Sequence, residues 1–189
     1  MAMRCFLAIP LPDDIQQSIA SLQAQLKAEL EFTGSRASWV KAGNFHLTLK
    51  FLGDISDEQF ARASTVLDGN ALVAPFEATL GNIDWFPSAT RPRICVLNIA
   101  NGADALQELT DTLETQLAPL DFVSAAHPFH PHVTLARLKA FQTNPASALS
   151  PRDQAIAIGP FGCTEVVLVK STLTTAGSQY TTLARWQLH

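Results

Sequence analysis

The stretch NFHLTLKFLG, residues 44–53, alternates apolar and polar side chains along its length. The apolar set is Phe45, Leu47, Leu49 and Phe51, and the polar set is Asn44, His46, Thr48 and Lys50. A period of two predicts a β-strand with one face on a hydrophobic core and one polar face. We therefore expect the apolar set to hold the strand from behind. We expect His46 and Thr48 to point the same way, about 7 Å apart.

A second copy of this pattern occurs at residues 131–138, PHVTLARL. His132 and Thr134 form its polar face, and Val133 and Leu135 form the opposite, apolar face. If the two strands are neighbours, two imidazoles and two hydroxyls converge. In-line displacement at phosphorus needs one imidazole to accept a proton and another to donate one. The hydroxyls can donate to the non-bridging phosphate oxygens.

The composition indicates a folded protein with no broad basic surface. Of the 189 residues, 47% are hydrophobic and 16% charged, and the net charge is −4. Duplex binding is not indicated, although one phosphate needs only a local site. Cys5, Cys95 and Cys163 form no CxxC, which favours reduced thiols in the cytoplasm. The N-terminal apolar run is too short for a signal peptide, and no window is long enough to span a membrane.

The remaining patterns predict interleaved helices and strands. Strands are expected at residues 4–9, 76–84, 93–99, 166–173 and 180–188, and helices from Asp13, from Ser56 and at residues 103–117. The last two strands form a hairpin turned near Gly177, and residues 142–152 are expected to be a loop. Hairpin-type neighbours favour antiparallel pairing over a doubly wound parallel sheet. The length suits one domain, residues 1–189, or two small lobes that share a core.

Several stretches resemble the two-histidine (2H) phosphoesterases. They are RCFLAIPLPDDI, WVKAGNFHLTLKFLGDI, HPFHPHVTLARL and a tail with Ser171, Leu173, Gly177 and Tyr180. The bacterial and archaeal RNA 2′,3′-cyclic phosphodiesterases, also called 2′–5′ RNA ligases, are the most similar members. This resemblance implies a bilobal α+β fold, with two antiparallel sheets related by pseudo-two-fold symmetry, flanking helices and a central cleft. It also implies hydrolysis of a 2′,3′-cyclic phosphate to a 2′-phosphate without metal or cofactor.

The resemblance also implies roles for individual residues. His46 and His132 would be the catalytic pair, and Thr48 and Thr134 would bind the phosphate. We assign His46 to protonate the departing 3′ oxygen and His132 to activate water, with the roles exchanged in the ligating direction. Arg137 matches a basic position that could complement phosphate charge. Strict alternation puts Arg137 on the face of Val133 and Leu135, away from Thr134. Either a bulge turns Arg137 into the cleft, or it forms a structural salt bridge.

Other interpretations of the same residues remain open. His127, His130 and His132 could form a metal cluster, although no Cys, Asp or Glu in the segment completes a site. Lys50 has the parity of the polar face, but a solvated strand end is the commoner position for a lysine. Tyr180 and Trp39 are candidates for lining the cleft.

The expected partners are RNA ends or nucleotide 2′,3′-cyclic phosphates, with no membrane and no protein partner, and we expect a monomer. One alternative is a 2H phosphodiesterase acting on a 2′–5′ oligoadenylate or an ADP-ribose cyclic phosphate. The other is a non-catalytic module that binds RNA ends.

Overall fold

The computed structural model describes residues 2–31, 36–122, 127–140, 143–144, 156–175 and 177–189. The strands are β1 (Met3–Pro10), β2 (Arg36–Trp39), β3 (His46–Ile55), β4 (Phe76–Phe86), β5 (Ile94–Asn101), β6 (His132–Ala140), β7 (Ile158–Cys163), β8 (Glu165–Thr174) and β9 (Gly177–Gln187). The helices are α1 (Asp13–Glu31), α2 (Asp57–Asp68) and α3 (Ala103–Leu117), with a 3-10 turn at Ala118–Leu120. The loop expected at 142–152 lies outside the described residues, apart from 143–144.

The helices follow the local signals in the sequence. At the start of α2, the Ser56 hydroxyl accepts a hydrogen bond from the Gln59 backbone N–H, and the Gln59 side chain accepts one from the Ser56 N–H. This reciprocal pair is a capping box and fixes where the helix begins. The apolar side of α3 is fully buried through Leu106, Leu109, Leu113 and Leu117. No described helix has the length and apolar character that a membrane crossing requires.

Antiparallel pairing links all nine strands in the order β7-β4-β5-β6-β3-β1-β8-β9, with β2 paired to β6. The predicted α+β class and antiparallel pairing are confirmed. The expected division into two separate sheets is not seen in this pairing, because β3 and β6 connect the two halves. That connection is one residue pair, Leu47 with Val133.

Strand β1 is buried on both faces. Cys5, Leu7 and Ile9 belong to the main hydrophobic core together with the apolar sides of the helices. On the opposite face, Phe6 and Ala8 form a small second cluster, which Tyr180 packs against. A strand covered on both faces has no polar side, which explains why residues 5–9 are an unbroken apolar run.

Candidate active site

The pair Leu47–Val133 sets the two His-x-Thr triplets side by side and antiparallel. Both residues of this pair are at most 1% exposed and lie in the core. Side chains alternate along a strand, so the histidine and the threonine that flank each of these two residues point to the other face. All four of these polar side chains are half-buried. The antiparallel order brings His46 towards Thr134 and Thr48 towards His132.

Both histidines are anchored by the same main-chain contact. The Nδ1 atom of His46 lies 2.8 Å from the carbonyl oxygen of Asn44, and Nδ1 of His132 lies 2.6 Å from that of His130. A carbonyl can only accept, so Nδ1 carries the hydrogen in each ring. Nε2 is therefore the nitrogen available to a substrate, as an acceptor when the ring is neutral and as a donor when it is protonated.

His46 lies among aromatic rings. The ring of Phe6 stacks on it at a centroid distance of 4.8 Å, and Tyr180 approaches edge-on at 5.2 Å. Burial lowers the pKa of His46, the Asn44 carbonyl partly opposes this, and the charge of His132 lowers the pKa further. The contact of Tyr180 agrees with the sequence analysis, whereas Phe6 was not singled out. Trp39 instead packs against the main core.

His132 has a different environment. The ring of Phe86, another residue that the sequence analysis missed, meets it edge-on at a centroid distance of 4.9 Å. Burial lowers the pKa of His132, and the carbonyl of His130 opposes this effect. The positive charges of Arg137 and His130 lower the pKa further. A nearby cation disfavours the imidazolium form, so His132 is biased towards the neutral ring that can accept a proton.

Strand β6 contains a bulge immediately after its motif. Val96 of β5 pairs with Thr134, but the adjacent Cys95 pairs with Ala136. Leu135 is therefore an extra residue without a partner on β5, and the strict alternation of side chains is broken there. Leu135 and Ala136 are consecutive yet both buried, which is the expected result of such a break.

The bulge turns Arg137 towards the side of the sheet that carries Thr134. Arg137 pairs with Ile94, two residues before Val96 in β5, and Val96 pairs with Thr134. Directly paired residues share a face, as do residues two apart in a regular strand. Strict alternation therefore gave the wrong face for Arg137. Its position in the cleft stays a prediction. The effect of its charge on the pKa of His132 is consistent with this placement.

Strand β3 has the same irregularity at the same distance from its histidine. Ala8 of β1 pairs with Thr48, but the adjacent Leu7 pairs with Lys50, so Leu49 is the extra residue. Lys50 therefore shares the core-facing side of Leu7. It is 6% exposed, so the interpretation as a solvated strand end is wrong.

Lys50 reaches helix α3 and forms an ion pair there. Its Nζ lies 2.5 Å from Oε2 of Glu114, whose side chain is 41% exposed. The buried cation thus has a carboxylate partner at the edge of the core, as a buried charge requires.

The bulge also moves Phe51 out of the apolar set. Phe51 pairs with Phe6, which lies two residues from Ala8 and on the same face. It therefore shares the side of Thr48 and is 59% exposed. The expectation that Phe51 holds the motif strand from behind is wrong, whereas Phe45, Leu47 and Leu49 are buried as expected.

A cavity of about 1460 Å³ runs beside the two motifs. Its lining includes Thr48, Phe51, Phe86, Arg93, His130 and His132. His46 lines a second cavity, of about 440 Å³, together with Phe6 and Tyr180. The lining of the larger cavity also includes Lys50 and Glu114, so the open space beside the motifs extends to helix α3.

The other two histidines of the HxxHxH segment precede β6. His127 and His130 are exposed and lie outside the strand. Across the described part of the chain, no three His, Cys, Asp or Glu side chains are grouped to hold a metal ion. His130 contributes its main-chain carbonyl to His132 and lies near Phe86, with a ring-centroid distance of 6.1 Å.

An antiparallel sheet that pairs two His-x-Thr strands is the arrangement expected of a phosphoesterase of the two-histidine class. A family model described as LigT like Phosphoesterase matches residues 9–96 and 98–180, and the chain belongs to this family. The resemblance stated from the sequence is thus confirmed.

Relatives and solved structures match the chain over most of its length. It is 32% identical to the RNA 2′,3′-cyclic phosphodiesterase of Aeropyrum pernix over 161 residues, which are 85% of this chain and 91% of that protein. It is 30% identical over 192 residues to the protein of the same name from Escherichia coli, covering 98% and 96%. The crystal structure of Escherichia coli LigT complexed with 3′-AMP superposes with a TM-score of 0.77 at 28% identity, covering 100% of this chain and 99% of that one.

Proposed function

We propose that this protein hydrolyses 2′,3′-cyclic phosphates at RNA ends to 2′-phosphates. The observation that carries the proposal is the pairing of Leu47 with Val133, which juxtaposes two His-x-Thr triplets whose histidines have the same Nδ1 anchor. The names of the relatives described above support RNA as the substrate. RNA ends or free nucleotide 2′,3′-cyclic phosphates are the partners that such a site requires.

In the proposed reaction, Nε2 of His132 accepts a proton from water as the water oxygen bonds to phosphorus. Nε2 of His46 donates a proton to the 3′ oxygen as its bond to phosphorus breaks. The charge of Arg137 supports the role of His132, because it favours the neutral ring. Binding of the phosphate anion raises the pKa of His46 and so favours the protonated form that an acid needs.

The remaining groups stabilise charge on the phosphate. Thr48 and Thr134 donate hydrogen bonds to the non-bridging oxygens, and Arg137 complements their negative charge. When a 5′-hydroxyl end replaces water and attacks the cyclic phosphate, which is 2′–5′ ligation, His132 accepts its proton and His46 again protonates the 3′ oxygen. By microscopic reversibility the two histidines exchange roles in the reverse step, cleavage of the 2′–5′ bond, and not in ligation as the sequence analysis expected. The proposed chemistry uses side chains alone.

We further propose that the fold is a single domain of two lobes related by a pseudo-two-fold axis near the pair Leu47–Val133. The repetition of the bulge at Leu49 and Leu135 and of the histidine anchors supports this symmetry. Since one chain supplies both motifs, a monomer suffices for activity. Three cysteines that are all free and buried support a cytoplasmic location.

The test is turnover of a short RNA with a 2′,3′-cyclic phosphate end, followed by analysis of the product. We expect a 2′-phosphate from the wild type and losses of at least ~100-fold in kcat for His46→Ala and His132→Ala. His189→Ala is the matched control, since His189 is exposed and has the same anchor, with Nδ1 3.1 Å from the Gln187 carbonyl oxygen.

Each alternative predicts a different result. A wild type that binds the RNA end without turnover would indicate a non-catalytic module. Turnover of 2′–5′ oligoadenylate or an ADP-ribose cyclic phosphate in preference to the RNA would indicate another substrate. A 3′-phosphate product would contradict the assigned regiochemistry.

A further inference from the structure

Helix α1 carries two half-buried glutamines, Gln16 and Gln23, on one face. Seven residues, close to two helical turns, separate them, so their positions lie about 10 Å apart along the helix axis. Ile19 lies between them on the same face and is fully buried. Amide groups at the edge of a hydrophobic core need hydrogen-bond partners. Both glutamines find these partners in the main chain beside the two His-x-Thr motifs.

Gln16 holds the peptide group that orients His46. Its Nε2 donates to the carbonyl oxygen of Phe45 at 2.7 Å, and its Oε1 accepts from the N–H of Phe45 at 3.3 Å. That N–H belongs to the same planar peptide unit as the Asn44 carbonyl, which accepts from Nδ1 of His46. The side chain of Gln16 therefore fixes the plane of the peptide that anchors the His46 ring.

Gln23 holds the second motif at its bulge. Its Nε2 donates to the carbonyl oxygens of Leu135, at 3.0 Å, and of Val40, at 2.8 Å. Leu135 follows Thr134 directly and is the extra residue without a partner on β5. The Leu135 carbonyl also accepts from the N–H of Val40 at 2.9 Å. A bulge interrupts the ladder of hydrogen bonds along a strand, and Gln23 supplies a bond at the point of interruption.

These contacts make α1 a second connection between the two motifs. The direct connection is the single strand pair Leu47–Val133. A helix has a fixed rise per residue, so α1 sets the spacing between the main chain at Phe45 and the main chain at Leu135. Two connections fix the relative orientation of the motif strands more strongly than one residue pair does.

We propose that Gln16 and Gln23 are positioning residues, which hold the imidazoles of His46 and His132 at the separation and orientation that proton transfer requires. The inference rests on the function proposed above and adds the device that maintains its geometry. Each glutamine acts through the main chain. Catalysis is sensitive to such positioning, because a displacement of about 1 Å can lower a rate roughly 100-fold.

The experiment removes the hydrogen bonds and measures stability and turnover for each variant, by urea denaturation and with adenosine 2′,3′-cyclic phosphate. Gln16→Met and Gln23→Met keep the length of the side chain without its amide. Gln23→Lys keeps a donor that can reach the two carbonyl oxygens. Gln116→Met is the matched control, because Nε2 of Gln116 in α3 donates to the main-chain oxygen of Ala71, beyond the end of α2, at 2.8 Å.

We expect kcat of the folded protein to fall roughly 10- to 100-fold in Gln16→Met and in Gln23→Met. KM should change less than kcat, because misplaced histidines affect the transition state more than the bound substrate. Gln23→Lys should recover most of the lost kcat. Gln116→Met loses a hydrogen bond of the same kind and should keep the kcat of the wild type.

The double variant, with Gln16→Met and Gln23→Met together, distinguishes positioning from a purely structural role. The two glutamines bond to different segments about 10 Å apart, so their losses in the free energy of unfolding should add. The losses in kcat should not multiply, because either change alone releases the geometry that both residues maintain. We expect kcat of the double variant to be close to that of the more impaired single variant.

Unchanged kcat in either single variant, or losses in kcat that multiply in the double variant, would overturn the positioning role while leaving the proposed function intact. Losses that only follow the unfolded fraction would overturn it as well. Absence of turnover by the wild type would refute the proposed function and this inference with it.

Discussion

Leu47 of β3 and Val133 of β6 form the one residue pair through which the two motif strands meet. Each is the central residue of its His-x-Thr triplet, and each is buried in the core. The core-facing side chains therefore set how far apart the polar side chains are on the opposite face. Packing within the core and geometry of the site are linked at this position.

Shortening Val133 should damage activity beyond its effect on stability. Val133→Ala removes two buried methyl groups, and we expect a loss of about 2 kcal/mol in the free energy of unfolding. The relaxed strand pair should also lower kcat of the folded protein. Urea denaturation and turnover of a cyclic phosphate measure the two effects.

Val166→Ala is the matched control for Val133→Ala, because Val166 is equally buried but lies in β8. It should lose similar stability and keep its kcat. Equal kcat in the two variants would contradict the proposed link between core packing and the site.

Removing the charge of Arg137 should change the pH dependence of catalysis. This charge lowers the pKa of His132, so Arg137→Gln should raise that pKa. The acidic limb of the kcat/KM profile, which reports protonation of the base, should then move to higher pH. Arg137→Lys retains the charge and should keep the limb near its wild-type position. An unchanged limb in Arg137→Gln would argue that His132 is not the base.

The buried histidines should make folding less favourable in acid. Burial lowers the pKa of His46 and of His132 below the value of 6.5 of an unperturbed histidine. Between the folded pKa and 6.5, the unfolded chain binds more protons, so stability rises with pH in this window. The stabilising contribution is complete above 6.5 and is lost as pH falls through the window.

His46→Gln should reduce this dependence on pH. We would measure urea denaturation at about pH 7.5 and about pH 5.5. Both values lie above the range where protonation of carboxylates dominates the pH dependence of the free energy of unfolding. The loss of stability on acidification should be smaller in His46→Gln than in the wild type, and His189→Gln should behave like the wild type. A parallel loss in all three proteins would contradict the prediction.

Breaking the pair between Lys50 and Glu114 should destabilise the protein. Glu114→Ala leaves a buried ammonium without its carboxylate, and we expect a loss of about 1–3 kcal/mol, less than for a fully buried pair since Glu114 is 41% exposed. Replacing both with apolar residues, as in Lys50→Met with Glu114→Leu, should recover most of that stability. Additive losses in a double-mutant cycle would indicate that the two groups do not interact.

Much of the site could be predicted because each motif carries its own local pattern. Period-two alternation identified the faces of His46, Thr48, His132 and Thr134, and repetition of the pattern indicated that the copies act together. These properties depend on neighbours in the sequence. The α3 leucines and the capping box at Ser56 are local in the same way.

The positions of Phe51, Lys50 and Arg137 could not be predicted because they depend on register with another strand. A bulge is an extra residue relative to its partner, and the partner of β3 is β1, which lies on the far side of a helix in the sequence. Strand β7 was missed because IGPFGC contains Gly and Pro, which ordinarily weaken a strand. Phe6 was missed because a strand buried on both faces lacks the apolar and polar alternation that would assign its side chains to one face or the other.

The carbonyls of Asn44 and His130 fix the tautomers of the two histidines, and they belong to the main chain. Every amino acid supplies the same oxygen at those positions. The protonation pattern that the proposed catalysis needs is therefore unaffected by mutation of the residues that provide it. Substitutions at positions 44 and 130 can therefore change the lining of the two cavities while leaving the proposed acid–base chemistry unchanged.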